Sequence, residues 1–385
     1  IQADLRGESW AELADPRNLS IEGRLENGRV YLPWIDLDLH GVSGDALIAG
    51  AILEGRDVKA RYKGTEGENG SLRIGLSRAD PVLQLAIDAR ADLADLPPLL
   101  ARIVPDPAFR REVAQLQEFS GTARGTLRLD GTHTDVAVAV QASELDVTAR
   151  HQRIAHPLRF KGGEAAYDGD SIVLRGVDVA VGASRLFKHN LTLGLHGDQT
   201  LDSSSPKAVI DLAEMFDQFR DRPPFNHLRR LNGILATGDW RLNGLAFDPA
   251  TWKFSTQGTV QDLLVESDLA PGSVQLSSSR LAWSDRTIRD QSAHGSINRS
   301  EIKGLAVEVD WAEAPRLQLQ ALEMDAALDD LSRLLQSFPK TAAHAAALGP
   351  VSGVARMRDV RLQTRLLPEG PRLARFEAAV QNVSG

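Results

Sequence analysis

Apolar and polar residues alternate along most of this chain, and the stretch THTDVAVAVQASELDVTA (Thr132–Ala149) shows the pattern well. Its apolar positions are even as far as Val140 and odd from Leu145 onward. Strict alternation is typical of a strand with one apolar face. The change of parity at Ser143–Glu144 predicts a turn or a β-bulge at that point.

The same alternation recurs throughout the chain and predicts many strands. The clearest segments are 35–39, 83–87, 126–129, 177–181, 191–195, 305–309 and 317–319. Four dipeptides between apolar runs are typical of tight hairpins, because both residues tolerate positive φ: Asn27-Gly28, Asn69-Gly70, Asp168-Gly169 and Asn243-Gly244. The sequence therefore predicts a meander of antiparallel strands.

Three segments change to apolar spacings of three and four, which predicts amphipathic helices over 95–119, 212–231 and 325–348. Each segment is interrupted by proline, at Pro105 and Pro107, at Pro223 and Pro224, and at Pro339. Because proline breaks a helix interior, each segment is expected to form two short helices joined by a bend.

A repeat of about 115 residues is visible in these landmarks. Pro107, Pro224 and Pro339 are 117 and 115 residues apart, and Tyr167 and Trp283 occupy matching phrases 116 residues apart. The period predicts a partial first β repeat over 1–94 and helical hairpins with β repeats over 95–211 and 212–324. A last helical hairpin and the start of another β repeat follow over 325–385.

The predicted fold class is mostly β with short helices, in an elongated antiparallel sheet. Two arrangements could cover its apolar face. Two sheets could seal their apolar sides as a sandwich, or one long sheet could curl into an open groove, like a trough, with an apolar lining. The groove is the arrangement that we predict.

Composition narrows the possible functions. The chain of 385 residues is 42% hydrophobic and 25% charged, which is typical of a folded protein. Its formal net charge of −8, with Lys and Arg scattered, argues against a nucleic-acid partner. No apolar run approaches the roughly 20 residues of a membrane span. The first residue is Ile1, and the chain is expected to be a piece of a longer protein that has lost any signal or anchor.

Catalytic constellations are not recognisable in the sequence. Cysteine is absent, and the nine histidines are dispersed without carboxylates at metal-ligand spacing. Asp325, Asp329 and Asp330 fall at a predicted helix start, where acids interact favourably with the helix dipole. The six tryptophans show no regular ladder of the kind that a polymer-degrading enzyme would use. We therefore expect a protein that is not an enzyme and that uses no cofactor and no metal.

An apolar groove would suit an apolar ligand. An acyl chain of about 15 methylenes loses roughly 12 kcal/mol when it is exposed to water, at about 0.8 kcal/mol each. A lining of Leu, Val and Ile with few polar groups would bind such chains without fixing one position. The predicted lipid-binding residues that line the groove are Leu127, Leu129, Val136, Val138, Val140, Val177, Val179, Val181, Leu191, Leu193 and Leu195.

Three stretches resemble the AsmA-like family, which includes AsmA, TamB and YhdP-type proteins of Gram-negative bacteria. They are ENGRVYLPWIDLDLHGVSGDALIAG (26–50), ARYKGTEGENGSLRIGL (60–76) and HPLRFKGGEAAYDGDSIVLRGVDVAVGASRL (156–186). The third carries the phrase that is most typical of the family, a Gly-Gly followed by Tyr-Asp-Gly and then by Gly182-Ala-Ser184.

The resemblance implies a periplasmic segment of a protein anchored in the inner membrane. Its β-groove would bind phospholipid and conduct it between the inner and outer membranes, with envelope proteins as possible partners and no catalytic residues. The alternative is a non-catalytic structural or assembly scaffold of the cell envelope, built as a sealed β-sandwich.

Overall fold

The computed structural model describes residues 2–5, 9, 16–32, 37–76, 81–95, 97–98, 107–132, 135–221, 225–246, 248–268, 272–310, 316–336, 339–347, 351–367 and 370–384. Strands account for 75% of these described residues and helices for 12%. The prediction of a mostly β fold with short helices is therefore confirmed.

The strands are long, and most of them follow one another as antiparallel neighbours. Their bounds are β1 (Gln2–Leu5), β2 (Leu19–Leu32), β3 (Leu37–Ala49), β4 (Ile52–Tyr62), β5 (Thr65–Gly75), β6 (Val82–Asp92), β7 (Leu116–Thr132), β8 (Val136–His151), β9 (Leu158–Lys161), β10 (Glu164–Tyr167), β11 (Ser171–Val181), β12 (Ser184–Gly194), β13 (Thr200–Ser205), β14 (Lys207–Asp211), β15 (Leu228–Leu245), β16 (Asp248–Ser267), β17 (Ser273–Ser284), β18 (Thr287–Ile297), β19 (Ser300–Asp310), β20 (Arg316–Ala327), β21 (Val354–Leu367) and β22 (Gly370–Ser384).

These 22 strands belong to one sheet, and the predicted antiparallel meander is confirmed. Two positions depart from a simple meander. Strands β9 and β10 both pair with β8, on either side of its middle, and β14 pairs with β12 as well as with β15. Between β9 and β10 lies Gly163, at φ +67°, where an added Cβ would approach the Arg175 carbonyl oxygen to 2.5 Å. That close contact requires glycine.

The chain divides into two compact units. The first unit consists of Ile1–Val179, Lys188–Leu201 and Leu245–Phe247. The second unit consists of Ala180–Phe187, Asp202–Gly244 and Asp248–Gly385. Strands β2 to β8 lie in the first unit, and β17 to β22 lie in the second.

The helices are shorter than the sequence predicts. Those with described bounds are α1 (Pro107–Val113), α2 (Leu212–Phe219), α3 (Leu328–Gln336) and α4 (Pro339–Ala347), and residues 97–98 are also helical. One-turn 3₁₀ helices span Pro16–Asn18, Leu93–Asp95 and Phe225–His227. The third predicted segment does form two short helices, with Pro339 at the start of the second. Pro105, Pro223 and Pro224 lie outside the described residues.

The first helix prediction was wrong beyond Val113. Leu116 and Phe119, which are spaced by three as on a helix, belong to β7. Between them Glu118 has φ +49° and forms a β-bulge opposite β8. A one-residue bulge turns two side chains spaced by three onto the same face of a strand, so the local pattern imitates a helix. The second prediction was wrong in the same sense, since Leu228 to Leu231 lie in β15.

The change of parity at Ser143–Glu144 is a bulge inside one strand. Glu144 has φ +52°, and two residues of β8 lie opposite Ala123 of β7 at this point. The extra residue reverses the alternation, and the sequence reverses its apolar positions at the same place. Side chains before and after the bulge therefore stay on one face.

Bulges of this kind recur in strand after strand. Residues with positive φ also lie within many other strands, among them Asn27, Gly41, Asp57, Asn69, Glu118, Gly176, Lys188, Asp262, Gly304 and Asp359. Three of the four predicted hairpin dipeptides are consequently corrected. Asn27-Gly28, Asn69-Gly70 and Asn243-Gly244 lie within strands, whereas Asp168-Gly169 does connect β10 to β11. Asn and Gly suit positive φ in a bulge as well as in a turn, and the local sequence does not separate the two.

A hydrogen-bonded tether fixes α2 to the hairpin between β11 and β12. The Glu214 carboxylate, in the first turn of α2, accepts the Ala183 N–H at 2.8 Å and the Ser184 hydroxyl at 3.3 Å. Ser184 Oγ in turn accepts the Asp211 N–H at 3.0 Å, at the end of β14. The tether therefore sets where the helix leaves the sheet.

The same tether holds α3. The Asp330 carboxylate accepts the Arg299 N–H at 2.9 Å and the Ser300 hydroxyl at 3.3 Å. Ser300 Oγ accepts the Ala327 N–H at 3.1 Å. Each of these four residues lies 116 positions after its counterpart at α2.

Part of the arrangement is also present in the first unit. Thr65 Oγ1 accepts the Asp92 N–H at 3.1 Å, and Asp92 Oδ1 accepts the Ala94 N–H at 3.0 Å. Thr65 and Asp92 lie 119 positions before Ser184 and Asp211. At three places along the chain, a Ser or Thr hydroxyl therefore accepts a backbone N–H at the end of a strand.

Candidate functional site

The candidate site is the apolar face of strands β5 to β8 in the first unit. Directly paired residues of adjacent strands share a face. Leu85 pairs with Leu72 on one side and with Leu129 on the other, and Leu129 pairs in turn with Val138. One row of aliphatic side chains therefore crosses four strands, roughly 14 Å at about 4.8 Å per strand.

A second row runs beside the first. Ile87 pairs with Leu127, and Leu127 pairs with Val140. The row continues from Val140 to Tyr167 of β10 and from there to Ile172 of β11. The register therefore brings Leu127 and Leu129 of β7 together with Val138 and Val140 of β8, all of them predicted lining residues. Val136 of β8 belongs to the same face, because it lies two residues from Val138.

These side chains are only half-buried. We define the aliphatic patch as the half-buried members of this face on β5 to β8: Leu72, Ile74, Leu85, Ile87, Leu127, Leu129, Val136, Val138 and Val140. The next residue on each strand is polar or small and faces the other side, where Gln84, Arg128, Asp130 and Ala137 are exposed. The patch is therefore accessible in a way that an ordinary core is not.

The remaining predicted lining residues have different surroundings. On β11, Val177 is fully buried and Val179 is buried, whereas Val181, which belongs to the second unit, is half-buried. Leu191 and Leu193 on β12 are half-buried, and Leu195, just after β12, is 2% exposed.

Leu195 is packed beneath a helix. It forms a small cluster with Val113 of α1, against which Leu116, Tyr167, Ile172 and Leu193 also pack. Burial raises the pKa of the Tyr167 hydroxyl, and the neighbouring carboxylates of Asp168 and Asp170 raise it further. Leu193 and Leu195 therefore contribute to the packing of α1, in addition to any role on the apolar face.

Sequence reasoning missed the patch members on β5 and β6. The segment 83–87 is recognisable as a strand from its alternation, but its pairing partner is not. Only the register shows that Leu85 and Ile87 continue the rows of β7 and β8. The alternation itself was the available signal for Leu72 and Ile74.

The apolar face of the second unit has one tightly packed row, although Val307 and Leu319, which pair with each other on the same face, are half-buried. Its central row runs from Ala293 through Leu305 and Ala321 to Val360, and all four residues are at most 2% exposed. At another part of this face, α2 packs through Leu212 and Phe216 onto strands that include β14 to β16. A chain of aromatic rings continues there from Phe219 through Phe225, Trp283 and Phe254 to Trp240.

One carboxyl group interrupts the apolar face of the second unit. Asp290 lies in register between Leu281 and Val307 and is 6% exposed. Burial raises its pKa to about 6, although Ser279 and the backbone N–H of Gln291 partly offset this effect. Its Oδ1 atom has no hydrogen-bond partner. The neutral acid therefore persists to a higher pH at this position than in an ordinary aspartate.

Other features of the described residues do not add a second site. Cavities of about 350 Å³ and 490 Å³ are lined largely by polar residues and glycine, and no member of the aliphatic patch lines either one. Within the described ranges, no His, Asp or Glu cluster could hold a metal ion, and no described helix is long and apolar enough to cross a membrane.

Comparison with models of protein families, with curated proteins and with solved structures finds no match for this chain.

Proposed function

We propose that the chain binds the acyl chains of phospholipids on its aliphatic patch, as a non-catalytic segment of a lipid-conducting bridge. The observation that carries the proposal is the half-burial of nine aliphatic side chains on one face of four adjacent strands. A folded protein that leaves such a continuous apolar surface accessible commonly uses it to bind something apolar.

The chemistry of the patch favours a hydrocarbon chain over a compact ligand. Its nine members are Leu, Ile or Val and carry no polar side-chain atom that could orient a ligand. Each methylene transferred from water to such a surface contributes about 0.8 kcal/mol. A ligand held only by these contacts can shift along the rows at little cost, as a conduit requires.

The rest of the proposal depends on the family resemblance in the sequence. It proposes a periplasmic location in a Gram-negative bacterium, an inner-membrane anchor elsewhere in the protein, and transfer of phospholipid between the inner and outer membranes. Envelope proteins at either end of the protein would be its partners.

A sealed structural scaffold is the second candidate, and the second unit favours it. The row Ala293–Leu305–Ala321–Val360 is covered by the protein's own side chains. If the aliphatic patch were closed in the same way in solution, the chain would serve as a spacer of the cell envelope and would bind no lipid.

The test is binding of a fluorescent fatty-acid analogue to the full chain purified without detergent. Val138→Asp places a charge in the middle of the patch, where it pairs with Leu129. Ala137→Asp is the matched control, because it introduces the same charge on the same strand at an exposed position of the opposite face. Circular dichroism establishes that both variants remain folded.

The expected result is that the chain and the Ala137→Asp variant bind the analogue, whereas the Val138→Asp variant does not. Native mass spectrometry of protein expressed in bacteria should also detect phospholipid on the first two only. If the unsubstituted chain neither retains phospholipid nor binds the analogue, the scaffold is the better explanation. Equal binding by both variants would show that the ligand lies elsewhere.

A further inference from the structure

Arginines are concentrated on the polar face of β20 to β22, at one end of these strands. Arg316 pairs directly with Arg365, and Arg365 pairs directly with Arg372. Arg361 lies four residues before Arg365 on the same face of β21, with Gln363 between them. Arg316, Arg361 and Arg365 are exposed, and we call these three residues the arginine cluster.

The arginine cluster differs from the other arginines of β21, which have carboxylate partners. Arg356 Nε lies 3.0 Å from Asp325 Oδ1, and Arg358 Nη2 lies 3.5 Å from Glu323 Oε1. In the described part of the chain, the structure gives no hydrogen bond or ion pair to any side chain of the cluster.

Two carboxylates come close to the cluster in register. Glu377 lies opposite Arg361, but its Oε1 atom accepts from Arg375 at 2.8 Å. Asp310 lies opposite Arg316 at the end of β19. The polar face at this end of the strands therefore carries an excess of positive charge, in a chain whose net charge is −8.

Like charges directly opposite each other on adjacent strands destabilise a sheet. Elsewhere on the polar faces, opposite charges face each other, as with Arg289 and Glu308 or Arg24 and Asp45. An arrangement that costs free energy in the unliganded protein is explained if an anion binds between the guanidinium groups. Guanidinium forks match the oxygens of a phosphate group and can bind them in pairs.

We propose that the arginine cluster is a binding site for phosphate groups, either free or in the headgroup of an anionic phospholipid. The site needs neither the aliphatic patch nor lipid conduction, because it lies on the polar face of the second unit. Its failure and the failure of the proposed function can therefore be told apart.

The test uses the full chain with two probes. Isothermal titration calorimetry measures the binding of inorganic phosphate, and co-sedimentation measures binding to phosphatidylcholine vesicles with and without phosphatidylglycerol. The test variant is Arg361→Gln with Arg365→Gln. The matched control is Arg356→Gln with Arg358→Gln, which removes the same charge from the same strand at arginines that already have carboxylate partners.

The test variant is expected to bind at least one probe about 10- to 30-fold more weakly than the unsubstituted chain, whereas the control variant changes less than about threefold. A loss confined to free phosphate identifies a soluble ligand, and a loss confined to phosphatidylglycerol vesicles identifies a headgroup. Equal losses in the two variants would mean attraction by net charge alone and would overturn the proposal. Absence of binding by the unsubstituted chain to either probe would also overturn it.

Discussion

The bulge at Glu144 offers the most direct test of how this sequence keeps its apolar residues on one face. Glu144 is held at φ +52° in the middle of β8. Left-handed backbone costs an ordinary L-residue roughly 1–2 kcal/mol, and glycine avoids this cost. Glu144→Gly is therefore expected to stabilise the β7–β8 pairing, by about 0.5–1 kcal/mol once the greater chain entropy of glycine is included.

Two other changes should act in the opposite direction. Glu144→Val introduces a β-branched residue at positive φ and should destabilise the pairing by about 1–2 kcal/mol relative to the natural residue. Deletion of Glu144 removes the extra residue and turns Leu145, Val147 and Ala149 toward the polar face. These side chains are 6%, 7% and 1% exposed, and loss of their burial should cost about 5 kcal/mol or more.

Hydrogen–deuterium exchange of the peptide that covers β8 reports the free energy of local opening, without requiring that the whole chain unfold in one step. Glu144→Gln is the control for charge. It keeps the positive φ at residue 144 and removes the ion pair with Arg124. This 3.4 Å contact joins two exposed side chains and should contribute less than about 1 kcal/mol to stability.

The free energy of local opening should be highest in Glu144→Gly and lower in the natural chain and in Glu144→Gln. It should be lower again in Glu144→Val and lowest by far in the deletion variant. A deletion variant as stable as the natural chain would refute the argument, because it would mean that the parity of Leu145 to Ala149 does not decide which face they occupy. A valine variant equal to glycine would show that the bulge is not strained at this residue.

Two further predictions concern buried polar groups. Since the pKa of Asp290 is raised to about 6 in the folded chain from about 3.8 when unfolded, its stabilising contribution is full below about pH 4 and is lost as the pH rises through 6. The free energy of unfolding of Asp290→Asn should therefore rise by about 1–3 kcal/mol relative to that of the natural chain between pH 4 and 7, the lower end allowing for solvent screening. Urea unfolding at several pH values measures both, and the same pH dependence in the two proteins would contradict this prediction. Ser300→Ala leaves the Ala327 N–H without its partner and should lower the free energy of unfolding by about 1–3 kcal/mol. Ser278→Ala is the control, because Ser278 is exposed and its loss should change stability little. Thermal unfolding compares the two variants, and equal effects would mean that the tether contributes nothing.

Much of the fold could be predicted because period-two alternation has one physical meaning over several residues. The strands around 83–87, 126–129 and 305–309 are present, and they pair antiparallel. The sequence could not distinguish between two structures that require the same backbone conformation at the same residues. Asn27-Gly28 meets the demand for positive φ equally well in a turn or in a bulge.

The tethers and the register were beyond local reasoning because they join residues far apart in the chain. Ser184 and Glu214 are 30 positions apart, and nothing between them indicates the bond. The recurrence of the same pair at Ser300 and Asp330 was the usable signal, since a hydroxyl and an acid return together after 116 residues. In the sequence the repeat is recognised instead from prolines and from the matching phrases at Tyr167 and Trp283, which do not report on the contacts that fix the helices.

Rows on the apolar faces of the two units differ in how far they are covered, and residue size supplies a reason. In the second unit, the row from Ala293 to Val360 alternates small and large side chains, so that neighbours can interdigitate and exclude water. In the first unit, the row from Leu72 to Val138 is large at every position. Branched side chains of similar size stand side by side, and their outer surfaces remain accessible. Alternation alone therefore predicts that a face is apolar, whereas the order of sizes across the strands indicates how far the protein's own side chains cover each row.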